Sequence, residues 1–469
     1  MHISSLYGDY SIGSFGKECK DFVNFLSSAG FTYWQVLPFC LPDECNSPYK
    51  SFGAFSGNPY FIDLPTLFEK GLISKEDLDN AKQRSPYLCE FSRLKEERFN
   101  LLEKASANFT DFKAMESFYA EYPEVLKFCE FMALKVANGN LSHDKWTVFK
   151  PNEHALSVWK FIEYEFFTEW LEIKKYANAH GVKIIGDMPI YVDYDSSDLY
   201  FNKGEFLLDD SGKPKLVAGV PPDYFSADGQ LWGNPLYDWS AMKQNGYAWW
   251  KRRLEFHKKI FDGVRIDHFR AFQDYYAIKS TEKTARNGKW KKGPRLPFIN
   301  EIKKLCGDFT VIAEDLGLIT NEVRTLVEKS GFPGMKVLQF GFLGEENSPH
   351  LPHNFINNSI AYTGTHDNNT LLGFVWESDD NTKNTIMDYF NIPREKWNES
   401  YDEIILKMLS SSAGLTIFPI QDILKYGADT RLNTPGVADN NWAFRITKNS
   451  LLSIDKDKYL YYNKLYSRK

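Results

Sequence analysis

The sequence predicts an α/β fold of the (β/α)8 TIM-barrel type, with helical and loop-rich insertions around the C-terminal face of the barrel. Three observations lead there. Short, almost uninterrupted apolar runs recur along the chain, as parallel strands covered on both faces require. Helix-like segments separate them. Acidic residues stand where successive runs end, and in a barrel those ends converge on one face. A doubly wound open sheet would share the first two features and is the alternative architecture.

The strand-like runs are "FTYWQVLPF" (31–39), "VKIIGDMPIYV" (182–192), "GVRIDHF" (263–269), "FTVIAEDLG" (309–317), "MKVLQFGF" (335–342), "SIAYTGTHD" (359–367) and "GLTIFPIQDIL" (414–424). An eighth is expected from "NPYFIDL" (58–64). The helix before residue 182 is marked by Trp159, Ile162, Phe166, Trp170, Ile173 and Ala177 at spacings of three and four. Gly181 stands just past its end, the position where a left-handed residue terminates helices. We expect one catalytic barrel over 1–469, with two departures. Residues 65–155 are charged and helix-forming, a helical insertion. Residues 195–260 are loop-rich and aromatic, an insertion suited to a lid, in which Tyr224, Phe225 and Trp232 would cover something.

Composition excludes several classes. The 469 residues carry a net charge of -6, so no basic excess exists to bind a nucleic-acid backbone. The start "MHISSLYGDY" has no apolar signal core, and no apolar run is long enough to span a bilayer. A soluble cytoplasmic protein without membrane partners is expected. The six cysteines form no CxxC pair and read as buried reduced thiols. Aromatics reach 16%, which fits either an aromatic-rich core or surfaces for the flat C–H faces of sugars.

The acids carry the chemistry. Asp187, Asp267, Glu314 with Asp315, and His366 with Asp367 each close a strand-like run. A single acid there would serve as a helix cap; four in succession favour a shared pocket. Crowded carboxyls cannot all ionise freely, so one is held protonated beside an ionised neighbour, the pairing that glycoside cleavage needs. Arg265 shares the strand face of Asp267, because side chains alternate with period two. It forms either a structural ion pair or half of an active site, in which it would keep Asp267 ionised and oriented. A divalent-metal site competes for the same acids, but a fixed guanidinium repels a metal. "DYDSSD" (193–198) departs from a calcium loop at Asp198 and Gly204, and "HLPH" (350–353) has no helical spacing. No phosphate-binding glycine loop and no nucleophile elbow occur.

In order and spacing, several motifs together resemble glycoside hydrolase family 77, the 4-α-glucanotransferases. They are "SPYKSFGAFSGNPYFIDL" (47–64), "GDMPIYV", "PPDYFSADGQLWGNPLY" (221–237), "GVRIDHFR", "VIAEDLG", "FPGMKVLQF", "YTGTHDN" and "RLNTPG" (431–436). The resemblance implies Asp267 as nucleophile, Glu314 as general acid/base and Asp367 as transition-state stabiliser. It implies Arg265 and His366 as donor-sugar ligands and Asp223, Gln230 and Trp232 in a loop closing over the glucan. It places Tyr49, Ser51 and Asn433 along the substrate cleft. Donors and acceptors would be maltooligosaccharides and other α-1,4-glucans, with glucose also an acceptor, and no metal or organic cofactor is implied. The chain departs from the family pattern at Lys291, Lys292 and Arg295, at Asn440, and at Ala271 and Gln273. A hydrolase using the same acids, and a glucan-binding protein with a decayed site, are the rival readings. Oligomeric state leaves no mark in the sequence.

Overall fold

The computed structural model describes residues 1–222, 227–344, 347–399 and 401–469. Among them, seven parallel strands form one curled sheet. They are β1 (Tyr33–Gln35), β2 (Lys183–Met188), β5 (Gly263–Ile266), β8 (Thr310–Ala313), β9 (Gly334–Val337), β10 (Ser359–Tyr362) and β11 (Leu415–Ile417), adjacent in that order. Helices intervene, and the architecture is that of a (β/α)8 barrel. β2, β5 and β8 are almost wholly buried, which explains their apolar sequences.

The barrel is nearly closed. Tyr362 on β10 donates from its hydroxyl to Gln35 Oε1 on β1 at 2.9 Å. The first residues of the chain pack into the seam: Trp34 Nε1 donates to the Met1 carbonyl at 2.6 Å, and the His2 ring sits edge-on to Phe61 at 5.3 Å.

The eighth expected strand is not one. Residues Pro59–Phe61 form a 3-10 turn and Leu64–Glu69 a short helix. Pro59 and Pro65 lack the N–H groups a central strand must donate. The side chains of Asn58 and Asp63 accept from Tyr60 N and Thr66 N at 3.0 Å each, capping the two turns instead. Burial of Phe61, Ile62 and Leu64 gives the segment its strand-like apolarity. Two strands are also shorter than their apolar runs. β9 passes into a 3-10 helix at Leu338–Phe342, and Pro419 precedes a helix at Ile420–Ile423 after β11.

The helix before β2 spans Glu153–Ala179. Asn152 caps it by accepting from Ala155 N at 2.9 Å, and Gly181 follows its end at φ +76°. Its buried face includes Trp159, Ile162, Phe166, Trp170 and Ile173. Five α-helices lie between Lys75 and Ala137, the last of them Pro123–Ala137, in the stretch that precedes it.

A second, antiparallel sheet lies outside the barrel, in the order β4 (Gln230–Pro235), β3 (Leu216–Val220), β6 (Asp274–Lys279) and β7 (Lys289–Lys292). It joins the 195–260 region to a hairpin that follows β5. β7 is an exposed edge strand, and Lys289, Lys291 and Lys292 discourage further strand pairing there. Cys45 is exposed and Cys40 half-buried, against the expectation of buried thiols; the other four are buried or nearly so, and no disulfide forms among the described residues. No helix among the described residues is long and apolar enough to cross a membrane.

Candidate active site

Strand register builds the site. In the β2–β5 pair Asp187 lies beside Arg265, and in the β5–β8 pair Ile266 lies beside Ala313. One residue further, Asp267 and Glu314 leave neighbouring strands together. Backbone bonds hold both ends: Asp267 N donates to Met188 O at 3.0 Å, Glu314 N to Ile266 O at 3.2 Å, and Phe269 N to Glu314 O at 3.1 Å.

Arg265 joins two carboxylates. Its Nη1 donates to Asp187 Oδ1 and Oδ2 at 2.9 and 2.7 Å, and its Nη2 to Asp267 Oδ1 at 2.7 Å. The pair of sequence alternatives, structural ion pair or active-site element, is therefore no choice between two: the ion pair with buried Asp187 fixes the cation that grips Asp267. Burial pushes Asp187 upward, opposed by Arg265, while the two carboxylates hold the guanidinium well above its ordinary range despite burial.

From Asp187 the network continues. Tyr49 donates from its hydroxyl to Asp187 Oδ2 at 2.7 Å, and its ring stacks on His366 at 5.0 Å and 20°. His366 Nε2 lies 3.3 Å from Asp367 Oδ2, and Asn433 Nδ2 donates to Asp367 Oδ1 at 2.6 Å. Burial works against both charges of this pair, but the mutual attraction wins. His366 is raised above its usual value, and Asp367 is held well below the carboxylate range by His366 and Asn433.

Glu314 is the opposite case. Its carboxyl accepts from His268 N at 2.6 Å and Leu316 N at 2.8 Å, bonds that favour the ionised form. Burial outweighs them, with help from the negative charge of Asp267, and lifts Glu314 to about 7. A carboxyl raised to about 7 thus accompanies a carboxylate held by a guanidinium, an arrangement suited to the acid/base division of glycosidic-bond chemistry. A reaction that uses Glu314 as its acid needs that carboxyl protonated, so its kcat/KM should fall as pH rises through about 7, by roughly tenfold per unit above it. A pH series of initial rates on maltotriose checks this; a plateau reaching pH 9 would contradict it.

The structure brings together Asp267, Glu314, Asp367, Arg265, His366, Tyr49 and Asn433. Trp232 meets the ring of His268 edge-on at 4.9 Å and donates from Nε1 to Gln230 Oε1 at 3.0 Å, so Trp232 lies beside the residue whose N–H holds Glu314. Ser51 stands apart. Its hydroxyl is 3.3 Å from Gly53 O, within its own loop. Asp223, Tyr224 and Phe225 lie outside the described residues.

Four contributors had no role assigned from sequence. Asp187 was visible as a strand-end acid. His268, at φ +52°, turns the chain so that its N–H reaches Glu314. Arg431 donates from Nη2 to the Asp367 carbonyl at 2.5 Å, and Trp442 packs 5.7 Å from His366. Arg431 opens the "RLNTPG" motif, which was the available signal. Among the described residues no cluster of three or more His, Cys, Asp or Glu side chains is arranged to hold a metal.

Known proteins share the family and the fold of this chain. The family model for 4-alpha-glucanotransferase, glycoside hydrolase family 77, matches residues 1–451. The chain is 40% identical to the 4-alpha-glucanotransferase of Clostridium butyricum, with 100% of both chains covered. It is 40% identical to that of Thermus thermophilus, over 96% of this chain and 94% of the relative. The structure matches amylomaltase from Streptococcus agalactiae in complex with acarbose at a TM-score of 0.95 and 36% identity, covering 100% of this chain and 98% of the other.

Proposed function

The chain belongs to the 4-α-glucanotransferases of glycoside hydrolase family 77, and from that premise we propose a retaining double displacement on Asp267. A segment of a 1,4-α-glucan passes to the 4-hydroxyl of a second glucan or of glucose. Glu314, protonated, gives its proton to the departing glycosidic oxygen. Asp267 attacks the anomeric carbon from the other face, and a glucosyl ester forms on its carboxylate. The acceptor hydroxyl then attacks while Glu314 takes up its proton. In such enzymes the two carboxyls stand roughly 5–5.5 Å apart, a spacing that neighbouring strand ends can provide.

The observation that carries this reading is the Arg265 bridge set beside a raised Glu314. Arg265 takes one oxygen of Asp267 and is itself anchored by Asp187, so the nucleophile is positioned before substrate arrives. Asp367, Asn433 and His366 form a polar cluster suited to the hydroxyls of the same sugar, bonds that tighten as the ring flattens. Acarbose, the ligand named for the Streptococcus agalactiae structure, would compete here.

Transfer rather than hydrolysis requires that water be a poor acceptor. Trp232 over His268 supplies apolar cover beside the acid/base. Incubation with maltotriose tests the reading. We expect glucose together with a ladder of maltooligosaccharides longer than the starting sugar. Glucose and maltose alone would identify a hydrolase instead.

A further inference from the structure

Arg270 lies three residues beyond Asp267 and is 3% exposed. Its guanidinium does three things. Nη1 donates to the carbonyl of Leu318, Nη2 donates to Asp274 Oδ1 at 2.7 Å, and the planar group lies over the indole of Trp290 at 4.0 Å. Trp290 is on the edge strand β7, opposite Tyr276, whose ring meets it edge-on at 5.2 Å. Arg270 lies over the indole and Tyr276 meets the ring at a steep angle, yet 38% of Trp290 is exposed. Leu318, four residues past Glu314, is 64% exposed. One guanidinium meets the Leu318 backbone carbonyl and the Trp290 ring, which ties both to the segments that carry Asp267 and Glu314.

The chemistry gives this side of the site a meaning. A general acid protonates the leaving oxygen, so the departing glucan lies on the side of Glu314, and the acceptor replaces it there. We propose that Trp290 and Leu318 form an acceptor-side contact on which sugars beyond the cleaved bond rest, favouring longer acceptors over glucose; the proposal rests on the transfer reading above. A flat indole face suits the C–H face of a pyranose. Its orientation is fixed in advance by Arg270 and Tyr276, so little ordering cost is left at binding. Glucose is too short to extend from the bond to this contact, whereas a tetrasaccharide offers the extra rings.

The test uses maltotriose as donor with either 13C-labelled glucose or 13C-labelled maltotetraose as acceptor. The readout is the ratio of kcat/KM for the two acceptors. Trp290→Ala should lower the maltotetraose-to-glucose ratio by about tenfold, and Trp290→Phe should restore most of it. Leu318→Ala, at a well-exposed position that folding does not depend on, should lower the same ratio by about threefold. An unaltered ratio in Trp290→Ala and Leu318→Ala, with the wild type transferring normally, would overturn the contact alone. A wild type that released only glucose and maltose would overturn the transfer reading, and the contact with it.

Discussion

Asp267→Asn should bring transfer to a halt, with kcat reduced by about 10^4-fold or more. The amide keeps the shape of the side chain and can still meet Arg265 through its oxygen. It cannot attack an anomeric carbon. On the proposed reading binding should survive, because the cluster of Asp367, Asn433, His366 and Tyr49 remains in place. Acarbose affinity by calorimetry, measured beside turnover, separates the two effects. Near-normal turnover in this variant would remove Asp267 from the chemistry.

Arg265→Met should be damaging in a different way, through the fold as well as the rate. Asp187 is fully buried and Arg265 forms a direct ion pair with it at 2.7 Å, while the other cation acting on it, His366, makes no ion pair with it among the described residues. Removing one partner of a buried pair leaves the other uncompensated, at a cost of about 3–5 kcal/mol. The sign with pH follows from the same carboxyl. Asp187 is already raised by burial, and without Arg265 it rises further, so the folded variant holds a proton that the unfolded chain has released. Folded stability should therefore fall as pH increases from about 5 toward 8, more steeply than in the wild type. Urea titrations at the two ends of that range measure it. Equal stability of variant and wild type at pH 8 would show that the bridge is not what anchors the strand leading to Asp267.

Much of this architecture could be read from the chain, and the parts that could not share a physical reason. Parallel strands buried on both faces leave continuous apolar runs, so β2, β5, β8 and β10 were visible. Residues 58–64 carry a similar run because a capped 3-10 turn packed in the core also buries every side chain. Periodicity cannot separate the two, although Pro59 and Pro65 argued for the turn. The second sheet was hidden for the opposite reason. β4 and β7 are largely exposed, and their sequences read as loop.

In the site, the acids were legible because each follows an apolar run. Their electrical arrangement was not. That Arg265 is shared between Asp187 and Asp267 depends on the β2–β5 register, which residue types do not encode. Arg431 and Trp442 reach Asp367 and His366 from a loop more than 60 residues further along the chain, beyond any local pattern.

The proposed double displacement requires a sugar bonded to Asp267. Glu314→Gln, supplied with an α-glucosyl fluoride, can form that ester without needing an acid, but it lacks the base that would help an acceptor remove it. Peptide mass mapping after a rapid acid quench should find one added glucosyl unit on the peptide bearing Asp267, and none in Glu314→Gln combined with Asp267→Asn. A glucosyl unit on any other side chain, or steady turnover to products of inverted configuration with no adduct, would contradict it.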